Sequence, residues 1–298
     1  MVVKKPKRKS VAADFMLKSA KKRTKSHKES TPVVSMDNET PDKWLTLSLD
    51  EVLESGQRLW EQPRRYFRGS GAGNECVRSM TFEAMGHRVP FEARVLRIFG
   101  VGNAIEKVIV NAAKKSKILV SGSDQLEGRI VDPLIICHVD LIVKRPTDGQ
   151  KFLGEIKSIK LENFKKLPPE HGPTRAGDSP LMKNHRGYVA QWNTYAWTPE
   201  VDLQYGFLLF ENKNTQYQKL YWLERDDVLH EGVLKIHREA FPYILEDPQM
   251  VAPIPMGLDP GLGQGICRWC DHRYLCKRIP KKGADYDTVR AIDAKLRG

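Results

Sequence analysis

Two apolar segments joined by a short polar turn are the feature that most restricts how this chain of 298 residues can fold. The segments predict β-strands near residues 129–144 and 151–157. Between them stands Asp148-Gly149, the favoured centre of a two-residue hairpin turn. The sequence therefore predicts a β-hairpin at this point of the chain.

The predicted hairpin carries two carboxylates and a lysine. With Asp148 and Gly149 as the loop, Asp140 lies opposite Lys157, and Glu155 precedes Lys157 by two residues. Directly opposed residues share a face of a sheet, as do residues two apart on a strand, so the three side chains are expected to converge. Two close carboxylates suit Mg²⁺ or Mn²⁺, and a neighbouring lysine can orient a water or stabilise charge on a phosphate. The plainer alternative is that all three are exposed charges of a half-buried hairpin.

Three of the five cysteines form a C-x2-C-x5-C cluster, at Cys267, Cys270 and Cys276. This spacing is typical of thiolates that bind a metal ion or an iron–sulfur cluster. The odd number of cysteines and the lack of an apolar leader argue against a disulfide framework and for a reducing compartment. His272, inside the cluster, is a competing zinc ligand, whereas Cys137 lies in an apolar run and is predicted to be a buried hydrophobic residue.

Six short motifs follow one another along about residues 70–280. They are Cys76-Val77-Arg78-Ser79, Gly102-Asn103-Ala104-Ile105-Glu106, His138-Val139-Asp140, Glu155-Ile156-Lys157, Gln191-Trp192-Asn193-Thr194-Tyr195, and Cys267-x2-Cys270 with Cys276. On these motifs the chain resembles the PD-(D/E)XK nucleases, specifically the RecB-type branch and its iron–sulfur relatives among the CRISPR-associated exonucleases. The resemblance implies an α/β restriction-endonuclease-like core, with a mixed central sheet flanked by helices. It also implies a cysteine-ligated metal cluster that joins the N- and C-terminal parts.

The resemblance also implies a role for each matching residue. The residues that would bind Mg²⁺ or Mn²⁺ are Glu106, Asp140 and Glu155, with the carbonyl of Ile156 as a further ligand. Lys157 would orient or deprotonate the attacking water, while Gln191 and Tyr195 would position the DNA strand or that water. The ligands of a [4Fe–4S] cluster would be Cys76, Cys267, Cys270 and Cys276, although the spacing alone also allows structural Zn²⁺.

Two of these assignments have simpler alternatives. Gln191 and Tyr195 are four residues apart on a helix predicted over residues 184–197, so they share a face, but an exposed amide and a buried aromatic ring would give the same pattern. Glu106 lies in a helical segment in which Gly100 and Gly102 predict a break or a helix start. The alternative is that Glu106 is an ordinary glutamate on the solvent-exposed face of this helix.

The net charge of +12 is concentrated at one end of the chain. Residues 1–30 contain eleven Lys and Arg but only Asp14 and Glu29 as acidic residues, so the remainder is nearly balanced. Residues 1–40 are predicted to be a disordered basic arm that binds nucleic-acid phosphates, followed by a nuclease domain over residues 41–298 with the cysteine cluster at 267–276. No run of about 18 apolar residues occurs, so no membrane association is expected.

The expected function is therefore that of a metal-dependent DNA exonuclease. Its expected substrate is single-stranded or end-accessible DNA, in recombination, repair or replication, and its expected protein partners are recombination or replication proteins. The alternatives are a structure-specific endonuclease and a non-catalytic DNA-binding protein on a nuclease scaffold. The expected location is the cytoplasm of a prokaryotic or virus-infected cell. In a eukaryotic host it is the nucleus, because Lys4-Lys5-Pro6-Lys7-Arg8-Lys9 resembles a nuclear localisation signal.

Other elements follow from the patterns of capping residues and apolar positions. Helices are predicted over residues 48–60, 76–85 and 226–245, and strands near 117–121, 203–210 and 217–223. Residues 161–185 are predicted to be a largely irregular, mobile flap that contacts DNA, or else an ordinary surface loop.

Overall fold

The computed structural model describes residues 41–246, 249–263 and 265–297. Leu47–Gly298 form one unit, and its boundary with the other unit, Met1–Thr46, falls within helix α1 (Pro41–Ser55). The predicted basic arm over residues 1–40 lies outside the described residues. Among the helices that are described, none is long and apolar enough to cross a membrane.

A three-stranded sheet contains β1 (Phe67–Arg68), β2 (Leu126–Val131) and β3 (Leu134–Val139). The strand order is β1-β3-β2, with β1 parallel and β2 antiparallel to β3. The prediction of one long strand over 129–144 was wrong. The chain turns at Asp132 and Pro133, since proline has no amide hydrogen for the ladder, and it leaves this sheet at Asp140.

The five-stranded central sheet contains β4 (Leu141–Lys144), β5 (Lys151–Ile159), β6 (Thr174–Arg175), β7 (Tyr205–Asn212) and β8 (Gln218–Glu224). The strand order is β4-β5-β7-β8-β6. The sheet is mixed, because β5 pairs antiparallel with β4 and parallel with β7, and β8 pairs antiparallel with β7 and parallel with β6. The strand predicted near 117–121 is reduced to a single bridge between Leu119 and Val143. A separate antiparallel pair joins β9 (Met250–Val251) to β10 (Ala284–Asp285).

Helices cover both faces of the central sheet. The helices after α1 are α2 (Val77–Ala84), α3 (Ala93–Lys115), α4 (Leu161–Lys165), α5 (Met182–Ala196), α6 (Asp227–Leu245), α7 (Arg273–Cys276) and α8 (Tyr286–Arg297). Ala113 of α3 packs with Leu141 and Ile156 on one face. On the other face, the indole of Trp192 in α5 donates a hydrogen bond to the carbonyl of Leu153 at 3.2 Å. Because side chains alternate along a strand, the odd residues near the end of β5 point toward α5. The predicted mixed sheet flanked by helices is thus confirmed.

The β4–β5 hairpin has a longer loop than the predicted two residues. Leu141 pairs with Gly154, a register two residues away from the predicted one, and residues 145–150 form the loop. Asp148 closes this loop by accepting hydrogen bonds from Nε of Arg145 at 2.9 Å and from the amide of Gln150 at 3.1 Å. A shift of two residues keeps every side chain on its face, whereas a shift of one would have inverted them. Asp140, Glu155 and Lys157 are therefore still placed on one face, although the predicted register was wrong.

Helix α3 is continuous, so the predicted break at Gly100 and Gly102 was wrong. A Cβ atom at Gly102 would lie only 2.9 Å from Oγ of Ser158, whereas one at Gly100 would meet no atom within 4 Å. Glycine at position 102 thus permits close approach of the helix to β5 instead of ending the helix. Glu106 lies one turn further along the same helix.

Two other predicted segments differ from the structure. The helix expected over residues 48–60 begins earlier and ends at Ser55. The predicted flap contains α4 and β6, and its side chains Phe164, Leu167 and Leu181 are buried in the main core. This segment is therefore packed against the sheet over much of its length, because its apolar residues complete the core beside β7 and β8.

Candidate functional site

A cleft of about 710 Å³ opens beside the point where the chain passes from the smaller sheet to the central sheet. Its walls come from α3, from β3, and from β1 with the residues that follow it. Three of the predicted site residues line the cleft, namely Glu106, Asp140 and Tyr195. The cations Arg68 and Lys107 line it too, so carboxylates and positive groups share one cleft.

Asp140 lies between β3 and β4, where the backbone changes sheets. Its Oδ2 accepts a hydrogen bond from the amide of Ile156 at 2.7 Å. Burial, reinforced by the charge of Glu155, raises the pKa of Asp140 to about 8. The carboxyl group therefore retains a proton near neutral pH when no cation neutralises its charge.

Glu155 lies on β5 and is almost completely buried, at 1% exposure. Its Oε1 accepts hydrogen bonds from Nζ of Lys157 at 2.5 Å and from Nε2 of Gln191 at 2.7 Å. Nζ of Lys157 also donates to Oε1 of Gln191 at 3.0 Å, which closes a three-membered ring of hydrogen bonds. The tertiary structure thus brings together Glu155 and Lys157 with a residue that lies more than 30 positions away in sequence.

The pKa values of Glu155 and Lys157 depend on each other. Burial raises the pKa of Glu155, and the neighbouring Lys157 opposes that rise. Burial also acts to lower the pKa of Lys157, but the charge of Glu155 and the hydrogen bond between them outweigh it, so the pKa of Lys157 is raised. Lys157 is therefore held in its charged form beside the carboxylates.

One oxygen of Glu155 has no partner. Its Oε2 is buried and accepts no hydrogen bond, an arrangement that is unfavourable for a carboxylate unless a cation or a water supplies the missing interaction. In addition, the charge of Glu106 raises the pKa of both Asp140 and Glu155, so the three carboxylates repel one another. Among the described residues, no group of three or more His, Cys, Asp or Glu side chains is arranged to hold a metal ion. The donor set of carboxylate oxygens nevertheless fits Mg²⁺ or Mn²⁺.

Gln191 and Tyr195 lie on the same face of α5, as their spacing predicts. Nε2 of Gln191 donates to Oη of Tyr195 at 2.9 Å, and both side chains are buried. The alternative of an exposed amide therefore does not apply to Gln191. Burial, with the charge of Glu155, raises the pKa of Tyr195, so its hydroxyl group remains protonated.

The last two predicted metal ligands, Ile156 and Glu106, lie on different elements, β5 and α3. In a β-strand, the amide and the carbonyl of one residue point toward the same edge of the strand. The amide of Ile156 donates to Asp140, so the carbonyl of Ile156 also points toward the edge of β5 on which Asp140 lies. Glu106 is held by Nε2 of Gln125, which donates to its Oε1 at 3.0 Å. Asp124 also lines the cleft but was not identified from sequence, because it lies in a turn without periodic pattern.

A second cavity, of about 280 Å³, is lined by four cysteines. They are Cys76, Cys267, Cys270 and Cys276, all of them free thiols. Burial raises the pKa of Cys76 and Cys270, and it raises that of Cys276 to about 11. Each of these three thiols is also influenced by the charges of neighbouring cysteines. Folding thus joins Cys76 to a loop about 190 residues later in sequence. Cys137 is fully buried in the main core, which confirms its prediction as a hydrophobic residue.

Four thiols are the donor type that both a [4Fe–4S] cluster and Zn²⁺ use, so the donor chemistry suits either group. In this structure the described thiols are not arranged as a metal site. His272 also lines this cavity, but its Nδ1 shares a hydrogen bond with Nδ1 of His87 at 3.0 Å. Its ring stacks on Phe82 with the centroids 5.2 Å apart. Burial lowers the pKa of His272 to about 3, so the ring is neutral. With one ring nitrogen already engaged, His272 is a weaker candidate ligand than the four thiols.

Comparison with known proteins gives remote similarities. No protein-family model matches the chain, and no curated protein matches it significantly. The crystal structure of SSO0001 is similar with 11% identity and a TM-score of 0.40, over 68% of this chain and 86% of that one. The structure of LHK-Exo in complex with dAMP is similar with 13% identity and a TM-score of 0.41, over 61% of this chain and 88% of that one. Similarity at this level does not indicate the activity of this chain.

Proposed function

We propose that the chain is a metal-dependent deoxyribonuclease that hydrolyses phosphodiester bonds. The observation that carries this proposal is Glu155, whose Oε1 binds Lys157 and Gln191 while its buried Oε2 has no partner. Such a buried carboxylate stands close enough to Asp140 to raise its pKa, and Asp140 lines a cleft that also contains cations. This arrangement suits a divalent ion held by the carboxylates and a phosphate in the cleft. The core is proposed to be restriction-endonuclease-like.

Asp140, Glu155 and Glu106 would hold Mg²⁺ or Mn²⁺, with the Ile156 carbonyl as a further ligand. When bound, the ion lowers the pKa of a coordinated water and stabilises charge on the phosphate. Lys157 has three hydrogens on Nζ and donates two of them within the ring, so the third is available to orient the attacking water.

Gln191 and Tyr195 support this arrangement from α5. Gln191 fixes both Glu155 and Lys157, so neither side chain can rotate away from the other. Tyr195 accepts from Gln191 and lines the cleft, so its own hydroxyl hydrogen is available to a phosphate oxygen. Arg68 and Lys107 provide positive charge for the adjacent phosphates.

The proposed substrate is single-stranded DNA or DNA with free ends, attacked as by an exonuclease. This part of the proposal follows the resemblance of the sequence motifs. The four cysteines are proposed to hold a [4Fe–4S] cluster, or alternatively Zn²⁺, that fastens α2 to the C-terminal loop.

Cleavage of end-labelled single-stranded DNA with Mg²⁺ or Mn²⁺ tests the proposal. The parent is expected to cleave, while Asp140→Asn and Glu155→Gln reduce the rate by at least about a hundredfold through loss of the metal. Asp148→Asn is the matched control, because it removes an exposed carboxylate from the other end of the same hairpin. It is expected to cleave like the parent.

The same assay distinguishes the alternatives. An exonuclease leaves circular single-stranded DNA intact, whereas a structure-specific endonuclease cleaves circular or branched DNA without free ends. Binding of DNA by a folded, metal-loaded parent that cleaves none of these substrates would favour the non-catalytic reading and contradict the proposal.

A further inference from the structure

One short segment lines both cavities. This connecting strap, residues 67–76, begins at β1 and ends at Cys76. Its residues Arg68 and Gly69 line the cleft of the candidate active site, and Gly73 and Cys76 line the cysteine cavity. A displacement of the strap therefore reaches both cavities.

The connecting strap runs along α5 in the opposite direction, with contacts close enough to require small residues. A Cβ atom at Gly69 would lie 2.5 Å from Cε1 of Tyr195, and one at Gly73 would overlap the Cα of Gly187. Between them, Ala72 packs with Ala190 in a small buried cluster. The contacted positions on α5 span two turns of one helix face, which also carries Gln191.

Each end of the connecting strap contacts a neighbouring element. At its start, Phe67 pairs with Ile135 of β3, the strand that leads to Asp140. At its end, Oδ1 of Asn74 accepts a hydrogen bond from the amide of Cys76 at 3.0 Å. The Nδ2 of Asn74 donates to Oγ of Ser79 at 3.1 Å on α2. Because the strap is tied to both sites, a movement of Cys76 is transmitted to α5 instead of being absorbed by a loose loop.

We infer that the connecting strap couples the cysteine cavity to the candidate active site. Binding of metal by Cys76 fixes the strap, the strap fixes α5, and α5 holds Gln191 and Tyr195 against Glu155 and Lys157. Gly69, Ala72 and Gly73 are positioning residues in this scheme. This inference rests on the proposed binding of metal by the cysteines. It makes the geometry of the proposed nuclease site depend on that metal.

Hydrogen–deuterium exchange tests this coupling without DNA. The protein reconstituted with Fe²⁺ and sulfide is compared with protein stripped of metal by a chelator, and exchange is followed in peptides that cover residues 186–196. Stripping is expected to speed exchange of these amides by about tenfold in the parent, since α5 loses its fixed neighbour. Helix α3, which packs on the opposite face of the central sheet, serves as the internal reference.

Two glycine variants separate the coupling from a general loss of packing. Gly73→Ala forces a Cβ atom into the backbone of Gly187, so α5 is expected to exchange rapidly even when the iron content equals that of the parent. Gly187→Ala is the matched control, because its Cβ atom would meet no atom within 4 Å. It is expected to keep the parental response to metal.

The inference is overturned if exchange in α5 does not respond to metal in the parent, a result that requires no variant to fold. Equal behaviour of Gly73→Ala and Gly187→Ala would overturn it as well. The exchange measurement is independent of catalysis, so a protein that shows the coupling but cleaves no DNA would contradict the proposed function and retain the coupling.

Discussion

At the scale of single residues, the state of Asp140 governs the candidate active site. Its carboxyl group is buried, accepts one backbone hydrogen bond, and has a pKa raised to about 8 by burial and by Glu155. A divalent cation must therefore displace a proton from Asp140 near neutral pH. A bound cation would relieve the repulsion among the carboxylates, and this relief would favour binding.

The affinity for Mn²⁺ is expected to rise with pH below about 8 and to level off above it. Below the pKa of Asp140 each bound ion displaces close to one proton, so the affinity should increase by about tenfold per pH unit there. Isothermal titration calorimetry at several pH values measures this slope. A Mn²⁺ affinity that does not change between pH 6 and 8 would contradict the assignment, and Asp140→Asn should bind weakly at every pH.

The same pKa predicts how the metal-free protein responds to pH. The folded state keeps the proton of Asp140 up to about pH 8, whereas an unfolded aspartate releases it near pH 4. The folded state thus binds more protons in that window, so this group lowers the free energy of unfolding as pH rises from about 4 to about 8. Asp140→Asn should lack this contribution in chelator-treated protein, measured by urea unfolding, and should be more stable than the parent at pH 8.

At the scale of elements, α2 connects the sheet region to the C-terminal segment. Arg78 of α2 is 1% exposed and donates hydrogen bonds to four backbone carbonyls of that segment. They belong to Ala252, Ile279, Pro280 and Lys281, at 3.1–3.3 Å. The guanidinium therefore joins α2 to the backbone of the C-terminal segment.

Arg78→Lys is expected to lower the free energy of unfolding by at least about 2 kcal/mol, because a single ammonium group cannot reach all four carbonyls. Urea unfolding of metal-free protein measures the change. Arg94→Lys, at an exposed position of α3, is the control and should cost less than about 0.5 kcal/mol. Equal stability of the two variants would show that the carbonyls find other partners.

At the scale of the whole molecule, the charge is divided between two parts of the chain. The eleven basic residues within residues 1–30 account for most of the net charge of +12. The remaining chain is nearly balanced, and in its cleft Arg68 and Lys107 stand beside carboxylates. Electrostatic attraction to DNA is thus expected to come from the basic arm, while chemistry is expected to depend on the cleft.

Deletion of residues 2–40 should weaken DNA binding at low salt and reduce its salt dependence. Each phosphate contact that is lost lowers the slope of log affinity against log salt by about 0.9 for duplex DNA and 0.7 for single strands. Fluorescence anisotropy at several salt concentrations measures this slope. The cleavage rate at saturating DNA should be unchanged, and a parallel loss of that rate would assign the arm a role in the active site.

The sequence by itself indicated which groups form the candidate site and on which face they lie. Alternation along the strands placed Asp140, Glu155 and Lys157 together because a strand has a period of two, so even a register error of two residues did no harm. The spacing of Gln191 and Tyr195 likewise followed from the helical period. The close approach permitted by Gly102 was misread as a break, since a glycine inside a helix and one at its end look the same in sequence.

Only the tertiary structure decided which distant groups meet. The ring of Glu155, Lys157 and Gln191, the unpartnered oxygen of Glu155, and the strap between the two cavities depend on how α5 packs on the sheet. The raised pKa of Asp140 likewise depends on burial that the whole fold creates. The periodicity of a sequence shows which face of one element is apolar. Distances between elements arise only from packing of the complete chain. Those distances set the protonation states, the hydrogen bonds and the affinity for metal.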